Sequence, residues 1–179
     1  MLQPDFRGSL DSGAVIDEIR SQLSARDNSV LDLLLKGWDP DSLDEDFYRK
    51  AAASGSPFIR NYFAYDLQLR NAKVNWLNKA LHRPEGEDIV SFGPEDFDDL
   101  QRVNAILDTP DILGRERGLD DILWQKIDDL TVMDVFDLDA ILGFTAKLKI
   151  VDRWLKLDEA AGRELFHKLV KEIKENYTI

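Results

Sequence analysis

Asp66, Arg70 and Lys73 follow one another at spacings of four and three within SPFIRNYFAYDLQLRNAKVNWLNKALHR, residues 56–83. At about 100° per residue around a helix axis, Phe58, Tyr62, Tyr65, Leu69 and Trp76 gather on one side. Ile59, Phe63, Val74, Leu77 and Leu81 widen that apolar arc, and the three charges fall inside it. A charge on such a face must be paired or reach water, because an unpaired buried charge costs several kcal/mol. Asp66 and Arg70 are spaced to pair along the helix, whereas Lys73 needs an acid from another element. Three kinds of chemistry fit: a structural ion cluster that fixes helix register, a partner-docking groove, or a proton-handling site. The first is the ordinary outcome. Docking ranks above proton handling, because a proton pathway needs a membrane span and no apolar run here approaches ~18 residues. The opposite side of the segment carries Asn61, Gln68, Asn71, Asn75 and Asn78, amides where a surface helix ordinarily shows charges.

The remaining reactive residues form no familiar constellation. His82 and His167 are far apart, neither has a partner at metal-ligand spacing, and both read as helix-end surface residues. Residues 39–50 have the outline of a calcium loop, but Leu43 stands at an oxygen-ligand position, Asp44 replaces the glycine and Lys50 replaces the bidentate glutamate. Aspartate pairs at 98–99, 120–121 and 128–129 complete no DDxxD pattern, and no glycine-rich phosphate loop is present. The chain has no cysteine, which removes disulfides, thiolate catalysis and zinc–thiolate sites. Serine, lysine and tyrosine nucleophiles are present without an evident base nearby in sequence. No catalytic residue, cofactor or metal is therefore expected, and an unrecognised enzyme is the least favoured reading.

Charge is unevenly spread. The formal charge is −12, with 12 acids and 11 bases over residues 1–83 and 6 acids and 8 bases over residues 140–179. Residues 84–139 hold 17 acids against Arg102, Arg115, Arg117 and Lys126, a net −13. Such a field repels nucleic acid and anionic lipid and favours either a solvated face or a basic protein partner. With 44% apolar and 32% charged residues, and no signal-peptide-like leader in MLQPDFRGSLDSG, the chain reads as a folded soluble protein.

The elements that position these residues read as helices throughout. Short amphipathic helices are predicted at 11–24, 28–37 and about 41–54, forming an N-terminal portion over residues 1–55. Ser56 as N-cap and Pro57 at the first helical position open one long helix, about 57–83, a rod of roughly 40 Å at the head of the main domain, 56–179. A loop with two or three extended residues is expected over 84–93. A helix opening at Pro94, with three acids in its first turns, comes next, and a brief helical turn between Pro110 and Gly118 follows it. From Leu119 on, Ile122, Leu123, Ile127, Leu130 and Met133 form a stripe with Asp120, Asp121, Asp128 and Asp129 off it on the wet side. Trp124 also lies off the stripe and reads as packed on a second neighbour or as a partner contact. The four aspartates and Trp124 make a candidate partner surface. Residues 138–157 are expected as the central buried helix, and a last helix capped by Asp158 sets Glu164, Lys168 and Glu172 on its wet side. No run shows strand periodicity, so the fold class is all-α, an irregular multi-helix bundle of eight or nine helices.

FIRNYFAYDLQLRNAKVNWLNKAL, VNAILDTPDILGRERGLDDILWQKIDDLT and FDLDAILGFTAKLKIVDRWLKLDEAAGRELFHKLVKEIK together resemble a bacterial domain-of-unknown-function family, number 2764, over roughly residues 56–175. Genes of that family commonly sit in V/A-type ATP synthase operons. YDLQLRNAKVNWLNKAL also looks like a helix of the rotor-capping subunit of V-type ATP synthases. That protein is all-helical, funnel-shaped and non-catalytic; it caps the membrane rotor ring and receives the central stalk. The resemblance implies the fold of that rotor-capping protein and a non-catalytic accessory or coupling role. It implies stalk or rotor subunits as partners, in the cytoplasm or peripheral to the inner membrane through that complex. It transfers no catalytic residue. The alternative is a helical scaffold or regulator unconnected with the ATPase. Longer family members begin with a segment that has no counterpart here, which leaves open that the chain is a C-terminal portion.

Overall fold

The structure, a computed structural model, describes residues 10–93, 96–132 and 137–156. Seven α-helices and no strand occur among the described residues: α1 Ser12–Gln22, α2 Ala25–Lys36, α3 Glu45–Ala52, α4 Pro57–Ala80, α5 Leu100–Leu107, α6 Ile112–Thr131 and α7 Leu138–Leu155. A short 3-10 turn, Pro40–Ser42, lies between α2 and α3. The all-α class stands. Eight or nine helices were expected, and two local differences change that number. The turn foreseen between Pro110 and Gly118 is the start of α6, which opens on the Asp111 side chain accepting from Leu113 N–H and runs on through Gly114 and Gly118. Gly118 permits this because a Cβ there would come within 2.8 Å of Ile106 on α5. The helix expected from Asp158, and His167 with it, lies outside the described residues.

Helix α4 is the axis of the fold, touching α3, α5, α6 and α7. Ser56 Oγ accepts from Ile59 N–H as N-cap, and Pro57 occupies the first turn. The helix ends at Ala80 rather than near residue 83. Leu81 caps it, His82 takes a left-handed conformation (φ 54°), and Arg83 N–H closes on the Asn78 carbonyl at 2.9 Å. At ~1.5 Å per residue its 24 residues make a rod of roughly 36 Å. Its first two turns carry Phe58, Ile59, Tyr62 and Phe63 into a core shared with Leu31 and Leu34 of α2 and with Phe47 and Tyr48 of α3. Leu142, Ala146 and Ile150 of α7 close the other side of that core. The short N-terminal helices thus contribute to the same core as the helices after residue 56.

Helix α5 starts at Leu100, six residues after the expected Pro94. The preceding stretch is tied down elsewhere: Tyr65 O–H donates to Asp99 at 2.5 Å, Gln68 donates to the Asp96 carbonyl at 2.5 Å, and Phe97 meets Tyr65 edge-on. Asp99 therefore makes no side-chain cap on α5. The amide face of α4 has the same purpose. Asn71 donates to the Val90 carbonyl at 3.0 Å and accepts from Val90 N–H at 3.2 Å, and Asn78 donates to the Glu87 carbonyl at 2.7 Å. Three amides take the place of a neighbouring strand and satisfy the backbone of a loop that has no secondary structure of its own. Helix α7, expected as the central buried helix, buries Leu142, Gly143, Thr145, Ala146, Leu148, Ile150 and Asp152, and Phe144 is its large apolar side chain left exposed, at 54%.

Candidate functional site

Helices α4 and α6 run in opposite directions, since Lys126 sits over the Tyr65 ring (5.0 Å to its centroid) while Lys73 meets Glu116. Between them, roofed by residues 37–43 and closed by α7, is a cleft of about 210 Å³ lined by Asp66, Arg70, Lys73, Glu116, Asp120 and Arg153. Three acids and three bases therefore face one small space.

Lys73 Nζ lies 2.6 Å from Glu116 Oε1, which supplies the acid from another helix that its position demanded. Asp66 is partly buried, and Tyr48 O–H of α3 donates to its Oδ2 at 2.9 Å. Asp66 takes this hydrogen bond from Tyr48, while Arg70 acts on Asp66 through its charge and on Tyr48 through both its charge and a hydrogen bond. Burial pushes the Asp66 carboxyl up to about 6, against the opposing pull of the Tyr48 hydroxyl and of Arg70. Burial, reinforced by Asp66, likewise holds the Tyr48 hydroxyl above the ordinary tyrosine range, and burial is the largest cause for Tyr62 as well.

Asp120 overturns part of the sequence reading. It was expected on the wet side of α6, yet it is 7% exposed, pairs with Arg153 and accepts from Trp154 Nε1–H at 2.6 Å. The reason is that α7 packs along α6, so a position off the first stripe faces a second neighbour. Burial raises its carboxyl, with Arg153 and Trp154 opposing. Asp121, Asp128 and Asp129 remain on the exposed side. Asp121 pairs with Arg117 at 3.1 Å, and Asp128 pairs with Lys147. Trp124 is half-buried against the core, with Lys147 Nζ 5.0 Å from its ring centroid, so it packs on a neighbouring helix.

The sequence reading missed two residues. Trp38 lines the cleft, and its buried indole N–H has no hydrogen-bond partner. Asp139 of α7 accepts from Ser56 Oγ at 2.7 Å and from Phe58 N–H at 3.1 Å, bracing the N-terminus of α4. The Asp139 contact has no sequence signal beyond the coincidence of an acid with a distant helix start. Trp38 stands just past Gly37, the stop of α2, where a large aromatic ordinarily signals packing.

Among the described residues no group of three or more histidines, aspartates or glutamates is arranged to hold a metal ion, and no helix is long and apolar enough to cross a membrane. The cleft's acids and bases are largely committed to one another, which fixes the register of α4 against α6 and α7. Compared with known proteins, residues 90–177 match the model of a family described as "Protein of unknown function (DUF2764)". No curated protein matches the chain. No solved structure matches it either.

Proposed function

With the match of residues 90–177 to that family as premise, we propose that the protein is a non-catalytic accessory or coupling subunit of a V/A-type ATP synthase. In this reading it resembles the protein that caps the rotor ring of such complexes, and it contacts stalk or rotor subunits from the cytoplasmic side without inserting into the membrane. The observation that carries the reading is the division of charge. Inside the molecule Lys73 is matched by Glu116 and Arg153 by Asp120, so the cleft works as a fastening. Outside, α6 turns Asp121, Asp128 and Asp129 to solvent within a middle third of net −13, a surface suited to a basic protein partner. The identity of that partner rests on the resemblance to a family whose genes are expected in V/A-type ATP synthase operons. The test is purification of the intact native protein under low salt, with its companions identified by mass spectrometry. Stalk and ring subunits are expected, and their absence beside a different stable partner would overturn the reading.

One observation favours the second reading, a helical scaffold unconnected with the ATPase. Ile112 (72% exposed) and Leu113 at the start of α6 stand with Leu77 and Leu81 at the end of α4 as exposed apolar side chains. They form an apolar end that serves docking of any helical partner.

A further inference from the structure

Three buried side-chain polar atoms among the described residues have no hydrogen-bond partner, and they are not equivalent. Two are the carbonyl oxygens of Asn28 and Asn78, whose amide nitrogens already donate to backbone carbonyls. The third, Trp38 Nε1–H, is the only polar group of its side chain and can only donate. Its place is fixed: the Trp38 backbone N–H donates to the Leu35 carbonyl at 3.1 Å, and a Cβ on the preceding Gly37 would collide with the Phe63 ring. Trp38 lines the cleft between α4 and α6. A buried donor left unmatched is costly, and beside a cleft it marks where an acceptor belongs.

The charges of the same cleft also leave a donor over. Of its three bases, Lys73 meets Glu116 and Arg153 meets Asp120. Arg70 makes no ion pair among the described residues; it hydrogen-bonds Tyr48 and acts on Asp66 through its charge. A guanidinium carries five N–H donors in a planar fork, so one such bond leaves most of them for another acceptor. Among the three acids, Asp66 is held by the Tyr48 hydroxyl rather than by a cation, and burial favours its neutral form. With Asp66 neutral, three bases face two acids, a surplus of one positive charge.

We propose that this cleft binds a small aliphatic carboxylate, whose oxygens accept from the Arg70 guanidinium and the Trp38 indole N–H. Charge, shape and size agree. One negative charge matches the surplus of one, whereas a phosphate dianion exceeds it. The planar fork of an arginine suits a carboxylate, which accepts two parallel N–H bonds. Leu43, Leu69, Leu119 and Leu123 line the same space and offer apolar contact to a short carbon chain. At about 210 Å³ the cleft lies below the ~300–1,000 Å³ of pockets that take larger ligands. The carboxylate belongs either to a free acid or to the C-terminus of a polypeptide, and the two sources separate by experiment.

The test is a titration of the full chain with sodium butyrate at pH 7, with butyramide and sodium chloride as controls, followed by nitrogen-15 NMR of the tryptophans. The four tryptophans give four indole N–H signals, and Trp38→Phe identifies the one that belongs to Trp38. Butyrate should move that signal saturably, while butyramide and chloride leave it in place. By calorimetry, Trp38→Phe and Arg70→Gln should each weaken butyrate binding about tenfold or more, the worth of one hydrogen bond to a charged group. Circular dichroism of each variant checks the fold. Asp66→Asn removes the acid beside Arg70 and keeps an acceptor for Tyr48, so it should tighten binding, a gain that a damaged fold does not imitate. Acetyl-Gly-Gly-Val bound more tightly than butyrate assigns the site to a chain end, and the reverse order assigns it to a free acid. A Trp38 signal indifferent to butyrate, binding unchanged in Arg70→Gln, or binding weakened in Asp66→Asn would overturn the proposal.

Discussion

Asp66 gives the most direct test at the scale of single residues. Its carboxyl is raised to about 6 in the folded protein, so the folded state binds a proton more readily than the unfolded chain does. Asp66 therefore costs no stability below about pH 4, and the cost grows as pH rises through about 6, reaching at most about 3 kcal/mol at pH 7. Asp66→Asn should leave stability near the wild-type value at pH 4 and exceed it at pH 7, with Tyr48 O–H still able to donate to the amide oxygen. Urea denaturation at the two pH values checks this, and a gap independent of pH would contradict the burial of the carboxyl. The neighbouring aspartates of α6 make a second test. Asp120→Ala removes the acceptor that Trp154 Nε1–H and Arg153 share in a buried position and should cost about 1–3 kcal/mol. Asp121→Asn loosens a surface pair with Arg117 and should stay within about 0.5 kcal/mol of wild type. Thermal melts of the two variants distinguish them, and equal melting temperatures would return Asp120 to the solvent.

At the scale of elements, the N-terminus of α4 depends on a residue 83 positions away from its Ser56 cap. Asp139 accepts from both Ser56 Oγ and Phe58 N–H, so one carboxylate satisfies two donors at the positive end of the longest helix. Asp139→Ala should destabilise the protein by about 1–2 kcal/mol, while loss of the local cap in Asp111→Ala affects only the start of α6 and should cost less. Guanidinium titration of both variants gives the comparison, and equal losses would show that Asp139 adds nothing beyond an ordinary cap. Which helices were legible follows from the same distinction between local and distant causes. Ser56–Pro57 acts within one turn, so the start of α4 shows in the sequence, whereas α2 starts at Ala25 and α3 at Glu45, away from the expected 28 and about 41, on caps from Ser24 and Asp44 that the sequence reading does not pick out. The start of α5 does not show either, because Asp99 spends its carboxylate on Tyr65 and the backbone at Asp96 is held by Gln68. The amides of α4 stood out as unusual for a surface, but nothing local shows that Asn71 will grip Val90 from both sides. In the cleft, the need of Lys73 for a distant acid was legible and its identity as Glu116 was not, since pairing α4 with α6 is a tertiary outcome.

For the whole molecule, the net charge of −12 has two components that composition alone does not separate. Part of the acidity of residues 84–139 is structural: Asp99 accepts from Tyr65, Asp108 from Trp76, Asp139 from the start of α4, and Glu116 and Asp120 are matched by Lys73 and Arg153. Other acids among the described residues face solvent, and Asp121, Asp128 and Asp129 lie on the outer side of α6. That side repels a second acidic molecule and attracts a basic surface, an effect carried mainly by the association rate. Raising ionic strength from ~10 mM to ~150 mM shortens the Debye length from ~30 to ~8 Å, so an encounter steered by these charges should slow sharply. The variant with Asp121, Asp128 and Asp129 all changed to Asn should associate more slowly at low salt and lose most of the salt dependence. Its fold should be retained, since Asp121 and Asp128 make exposed pairs and Asp129 lies on the outer side. Stopped-flow or surface binding kinetics against purified V/A-type stalk subunits measure both effects, with far-UV circular dichroism confirming a helical spectrum for each protein. Association rates indifferent to salt and to the three substitutions would assign this face to solubility and leave the partner contact to the apolar end formed by Leu77, Leu81, Ile112 and Leu113.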